Sequence, residues 1–131
     1  MEEIQMVSIW VGIADEQEKA ESLMEYVYDE DGNALAPEFV RASSMDDTYI
    51  DEDFVEVSFR ESTSFLTDLI TGHSYWESIL PALLNRIDDK LLYKMNTTVL
   101  IYDFAYNGHV FDVTIDGVRM FYIGAVPFKE T

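Results

Sequence analysis

Twelve residues, Thr97 to Gly108 (TTVLIYDFAYNG), constrain this chain more than any other stretch. Val99, Leu100, Ile101, Tyr102, Phe104 and Tyr106 give both faces of an extended segment apolar or aromatic groups. A strand covered on both sides requires that pattern. The stretch therefore reads as the central strand of a sheet, about 97–106, with Tyr102 and Tyr106 on one face. Asn107-Gly108 is the preferred pair for a type I′ hairpin turn, because both central residues need positive φ. Asp103 interrupts the apolar run. A carboxylate there must find donors, sit at a strand edge near water, or shift its pKa; it is assigned a structural role, with a functional acid as the alternative.

The flanking segments supply the rest of the sheet and its cover. Residues 4–12 read as a first strand, with Val7, Ile9 and Val11 on one face and Ile4, Met6, Ser8 and Trp10 on the other. Gly12 ends it, and Trp10 is a core plate whose indole N–H should meet a carbonyl. Over 15–29, Ala20, Leu23, Met24, Val27 and Tyr28 hold the spacing of a buried helical stripe. Asp15 and Glu18 offer a capping box, and Asp29 to Asn33 stops the helix with turn formers. Asp29, Asp31 and Asn33 mimic a calcium loop, but Ala34 and Val40 stand where that loop needs glycine and a bidentate glutamate, so a solvated turn is the reading. Helices are predicted at 62–71 and 75–92. The second has Ser74 and Glu77 as a capping box and an apolar stripe that crosses Pro81 with a kink. Strands at 109–115 and 118–128 flank an Asp116-Gly117 hairpin turn, with Phe121 and Ile123 sharing a face. The sum is a single domain over 1–131. Its class is α+β: a mainly antiparallel sheet, made of an N-terminal strand and a C-terminal meander, with helices on one face. Gly108 and Gly117 are structural through their turns.

Between Ala34 and Glu61 the pattern is least regular. Asp46, Asp47, Asp51, Glu52, Asp53 and Glu56 put six carboxylates into eleven residues, around Tyr49, Ile50 and Phe54. Val55, Val57 and Phe59 then alternate with polar residues as in a short edge strand. Like charges so crowded repel, unless they are dispersed into water or met by a cation or a basic partner. Loops carry recognition more often than cores do, so Asp46, Asp47, Tyr49, Asp51, Glu52, Asp53 and Glu56 are the candidate partner-binding residues.

Composition narrows the function. The net charge is −18, and residues 1–66 carry 18 acidic against 3 basic side chains, a net −15. Such a surface repels nucleic acid and anionic membrane and attracts a basic protein. No cysteine is present, so there is no disulfide framework, thiolate nucleophile or cysteine-based zinc site. Acidic residues precede the short apolar run at the N-terminus, where a signal peptide would carry basic ones, and a cytoplasmic location is expected. There is no G-x-S-x-G elbow and no phosphate-binding glycine loop. His73 and His109 both read as exposed loop histidines. A metal site from His109, Asp103 and Asp112 has no diagnostic spacing, and no metal or cofactor is assigned. An enzyme using Asp103 with His109, and an acidic nucleic-acid mimic, are the competing classes.

Five blocks carry a family resemblance: Val7-Ser8-Ile9-Trp10-Val11-Gly12, Asp51-Glu52-Asp53-Phe54-Val55-Glu56, Gly72-His73-Ser74-Tyr75, Tyr102 to Gly108 (YDFAYNG), and Phe121-Tyr122-Ile123-Gly124. Together they resemble the bacterial immunity-protein 22 family, which accompanies toxins of polymorphic and contact-dependent systems. The resemblance implies a small α+β protein that binds a cognate toxin domain and blocks it, with no catalytic residues to transfer.

Overall fold

The computed structural model describes residues 5–130, so Ile4, the first residue of the expected strand, lies outside the described residues. In chain order the elements are β1 (Met6–Ile13), α1 (Gln17–Glu21), β2 (Val27–Tyr28), β3 (Ala34–Leu35), α2 (Glu38–Ala42) and β4 (Val55–Phe65), followed by α3 (Leu66–Ile70), α4 (Trp76–Leu84), β5 (Lys90–Tyr102), β6 (Asp112–Ile115) and β7 (Val118–Pro127). Five strands form one sheet in the order β4-β5-β1-β7-β6, antiparallel throughout, and β2 and β3 form a separate hairpin. The α+β class holds.

The centre of the sheet is the N-terminal strand rather than the 97–106 stretch. Val7 of β1 lies opposite Tyr102 of β5 on one side and Val126 of β7 on the other. β5 is next to it, and its two-sided apolar pattern is real: every residue from Met95 to Tyr102 is buried. That pattern also decides the layering. Val7, Ile9 and Val11 pack with Leu66, Leu69 and Ile70 of α3 and Ile79, Leu80 and Leu83 of α4. Trp10, on the opposite face, packs with Ala20, Leu23, Phe39, Val40 and Ile50. Helices therefore cover both faces, not one, because strands apolar on both sides cannot leave either face wet. Phe121 and Ile123 do share a face, against the α3–α4 core.

Several helices are shorter than the apolar spacing predicts. The 15–29 helix ends at Glu21, runs through a 3-10 turn at Ser22–Met24 and gives way to β2. Its N-cap is Glu16 with no side-chain bond, while Asp15 pairs with Lys19 at 3.4 Å. In the 62–71 segment, Ser62 to Phe65 extend β4, and the helix proper is Leu66–Ile70. Asp89 caps it from a distance, its Oδ1 accepting from the N–H and hydroxyl of Thr67 at 2.8 and 3.0 Å. The 75–92 helix stops at Leu84 with Pro81 inside it, and Leu91 and Leu92 belong to β5. Strand pairing of β2 with β3 and of β4 with β5 outweighs the helical spacing there, since a short apolar run fits either period.

The turn chemistry splits. Asp116 and Gly117 have φ of 48° and 83°, both positive as a type I′ turn needs, and β6 and β7 pair across them. Asn107-Gly108 makes no hairpin. β5 ends at Tyr102, Asp103 turns the chain with φ of 56°, and Gly108 is not a positive-φ residue. The chain then crosses the start of β1, where the Ser8 hydroxyl donates to the Phe104 carbonyl at 2.6 Å and accepts from the Tyr106 N–H at 2.9 Å. Tyr106 consequently joins the Trp10 core, not the face of Tyr102. The strand predicted from His109 begins only at Asp112.

Gly12, Gly108 and Trp10 lie in close-packed surroundings. Gly12 does not end β1 but lies within it, and a Cβ there would run into the Arg119 carbonyl of β7. Gly108 makes room for the Tyr106 ring, which a Cβ would strike. Trp10 is 1% exposed and meets Phe39, Tyr106 and Tyr122 at 5.0–5.5 Å between centroids. Its indole N–H has no acceptor among the described residues, contrary to the expected carbonyl.

Candidate functional site

The acidic segment is built from two short turns that spread its charges. Asp46 accepts from the Thr48 N–H at 2.9 Å and opens a 3-10 turn at Asp47–Tyr49. Asp51 accepts from the Asp53 N–H at 2.9 Å and opens a second at Glu52–Phe54. Using an aspartate to cap each turn satisfies backbone donors that a loop would otherwise leave to water. Between the caps, Ile50 is buried and anchors the segment to the Trp10 core, leaving Tyr49 at 72% and Phe54 at 50% exposed. The aromatic rings and most of the carboxylates thus face outward on a fixed base.

Three clefts lie in a row along this face. The first, of about 510 Å³, is walled by Tyr26, Tyr28, Thr48, Tyr49, Asp51 and Glu52. The second, of about 450 Å³, lies between Asp46 and Tyr49 on one side and the 103–107 loop on the other. Asp53, Phe54, Glu56, Tyr75, Tyr102 and Phe128 enclose the third, of about 220 Å³. Tyr49 is shared by the first two and Asp103 by the last two. Of the candidate residues, Asp46, Tyr49, Asp51, Glu52, Asp53 and Glu56 all line a cleft. Asp47 lines none of the three, yet its charge and that of Glu52, after burial, push the Tyr26 phenol above its usual pKa. Asp103 is not the buried strand carboxylate; it is exposed at the strand end and forms a wall. Among the described residues, seven carboxylates face the space across the three clefts (Asp46, Asp51, Glu52, Asp53, Glu56, Asp103 and Glu130), and no lysine, arginine or histidine does. A fourth cleft elsewhere is mixed, with Lys19 and Arg41 beside Glu25, Glu38 and Asp116.

Glu56 is the most tightly held of these acids. Its Oε1 accepts from the Tyr102 hydroxyl at 2.6 Å, the Ser74 N–H at 2.9 Å and His73 Nδ1 at 3.2 Å; Oε2 accepts from the Ser74 hydroxyl at 2.7 Å. Burial pushes its pKa up, but the hydrogen bonds from Tyr102, Ser74 and His73 outweigh burial and hold it below the ordinary value. Burial and the Glu56 carboxylate both push the Tyr102 phenol well up. Ser74 therefore serves Glu56 and not the predicted capping box; the N-cap of α4 is Tyr75, with no side-chain bond.

His73 is the residue the sequence placed wrongly. It is 7% exposed, not a surface loop histidine, and burial lowers its pKa despite the neighbouring carboxylate. Its Nε2 lies 2.8 Å from the Ser58 hydroxyl. Hydroxyl, imidazole and carboxylate stand in the order that acyl-transfer enzymes use. Ser58, however, lines none of the three clefts, and the nearby Ser74 N–H is occupied by Glu56 rather than free for an oxyanion. The arrangement fastens the turn after α3 to strand β4. Asp103 and His109 are both exposed. Among the described residues no three His, Asp or Glu side chains gather as a metal site, so His109, Asp103 and Asp112 do not assemble into one. No described helix is long and apolar enough to cross a membrane.

The β2–β3 hairpin beside the first cleft escaped sequence reading. Asp29 builds it: its carboxylate accepts from the Asp31 and Asn33 N–H groups at 3.0 and 2.8 Å, which holds its pKa below the ordinary value. The signal was the Asp29–Asn33 turn itself, read as a helix stop.

Comparison with curated proteins and with solved structures returns no match. A family model described as Immunity protein 22 matches residues 7–129, from the second residue of β1 to just past β7. The chain belongs to the immunity protein 22 family.

Proposed function

We propose that this protein binds a cognate bacterial toxin domain and blocks it through the three-cleft acidic face, acting in the cytoplasm of the cell that makes it. Family membership supports the toxin-neutralising role. The observation that carries the choice of face is the set of seven carboxylates lining clefts that, among the described residues, hold no basic side chain. Six tyrosines line the same clefts, and the exposed Tyr28, Tyr49 and Tyr75 supply contact area at small entropic cost. A surface of this kind is complementary to a basic one. Nucleases must be basic to hold phosphate, so a nuclease domain is the toxin class we favour, and an acidic inhibitor is steered onto its substrate surface.

The test uses the cognate toxin domain, to be sought in the reading frame immediately upstream of the one for this chain. Mixing the purified proteins should abolish nucleic-acid cleavage in a stoichiometric complex. Hydrogen exchange should slow at residues 44–56 and 103–107. A complex that protects the β6–β7 hairpin instead would move the interface. Failure to form any complex would remove the toxin-binding reading.

A further inference from the structure

We propose that the third cleft receives the side chain of an arginine from the partner protein, an assignment that rests on the toxin-binding reading above. At about 220 Å³ the cleft is below the roughly 300–1,000 Å³ that drug-sized ligands occupy, and it is of side-chain size. Its inner wall is aromatic. Tyr75, Tyr102 and Phe128 stand 5.3–5.9 Å apart between centroids, two of the three pairs close to perpendicular, and Phe54 lines the cleft with them. Perpendicular rings present both a face and an edge, and a cation is attracted to the face.

The charge in the cleft is fixed and uncompensated. Glu56 is oriented by four donors from His73, Ser74 and Tyr102. None of them neutralises it at neutral pH, because burial keeps the imidazole uncharged. No lysine or arginine forms an ion pair with Glu56 among the described residues. Asp53, Asp103 and Glu130 add carboxylates to the same cleft. A carboxylate held by neutral dipoles beside aromatic rings is a preorganised half of an ion pair. Guanidinium completes it better than ammonium, since it is planar, weakly hydrated, stacks on rings and forks onto carboxylates.

The experiment titrates the full chain with blocked arginine (N-acetyl-arginine methylamide), with the lysine counterpart, and with the citrulline counterpart, which has the same shape and no charge. Ring resonances of Tyr75, Tyr102 and Phe128 and the Ser74 amide are followed by NMR. Saturable shifts are expected with arginine, about fivefold weaker binding with lysine, and no saturable response with citrulline. Tyr75→Leu and Asp53→Asn should each weaken the arginine response severalfold while the remaining spectrum stays that of the folded protein. Equal binding of citrulline, lysine binding as tight as arginine, or no saturable shift would each overturn the assignment. So would an unchanged response in Tyr75→Leu. If the toxin domain binds but blocked arginine does not, the toxin-binding reading survives and this one falls. If blocked arginine binds and no toxin domain does, the chemistry of the cleft stands and the proposed function falls.

Discussion

Gly12 and His73 are the two residues whose surroundings make the sharpest demands. Replacing Gly12 drives a Cβ into the Arg119 backbone of the neighbouring strand, which cannot yield without moving β7 away from β1. Gly12→Ala should therefore lower stability by about 1–3 kcal/mol, the usual cost of overpacking, read as a fall in the urea midpoint at unchanged slope. An unchanged midpoint would mean that the strands separate freely there. His73 adds a pH dependence. Its folded pKa lies below its ordinary 6.5, so below that value the unfolded chain takes up a proton that the folded chain refuses. The stability from neutral His73 is whole above pH 6.5 and declines as pH falls through that value toward the folded pKa. Glu56, whose folded pKa lies below its ordinary 4.5, acts in the same direction in a lower window. Acidification also relieves the repulsion of a −18 chain, so the comparison must be differential. The midpoint advantage of wild type over His73→Gln should shrink between about pH 7 and 5.5. A difference that ignores pH in that range would show that His73 titrates alike in both states.

At the scale of the element, the β2–β3 hairpin is the least supported piece of the molecule. It has two residues in each strand, and Val27, Tyr28, Ala34 and Leu35 are all exposed. An isolated two-stranded hairpin is marginal in water, and here the Asp29 carboxylate organises its turn. Asp29→Ala should speed hydrogen exchange at Tyr28 and Asn33 while leaving the β1 and β5 amides unchanged. Because Tyr28 and Ala34 wall the first cleft, the same change should weaken partner binding without lowering the thermal midpoint of the sheet. Faster exchange on β1 or β5, or wild-type exchange at the hairpin, would contradict this division into a stable sheet and a locally held flap of structure.

Over the whole molecule, charge governs the encounter and not the fold. Asp51 and Asp53 are exposed, so reversing both leaves the cores intact. Joint Asp51→Lys and Asp53→Lys substitution should slow association with the toxin domain and abolish protection, with the thermal midpoint nearly unchanged. Wild-type association should slow as salt rises to physiological strength, where the Debye length falls to about 8 Å. Stopped-flow association at several salt concentrations reads both effects. A double variant that associates at the wild-type rate, with a wild type indifferent to salt, would make this face a solubility surface only.

What the sequence determined by itself follows from short-range chemistry. The α+β class, the two faces of β1, the buried run at Val99–Tyr102, the Asp116-Gly117 turn and the exposed acidic segment can all be read from period, turn preference and charge density. Tertiary structure decided whatever depended on a distant partner. The apolar residues at Leu91 and Leu92 fit a helix as well as a strand, and pairing of this end of β5 with β4 settled them as strand. Asn107-Gly108 is an ideal hairpin pair, but the Ser8 hydroxyl holds the Phe104–Tyr106 backbone across β1, and no hairpin forms. His73 follows a glycine, as a surface histidine would, yet Glu56 lies 17 positions earlier in sequence and Ser58 lies 15 earlier. Only the folded sheet brings them around its ring. The clefts are the same case: the walls of the third come from segments as far apart as Asp53 and Glu130, and no local pattern records that those segments meet.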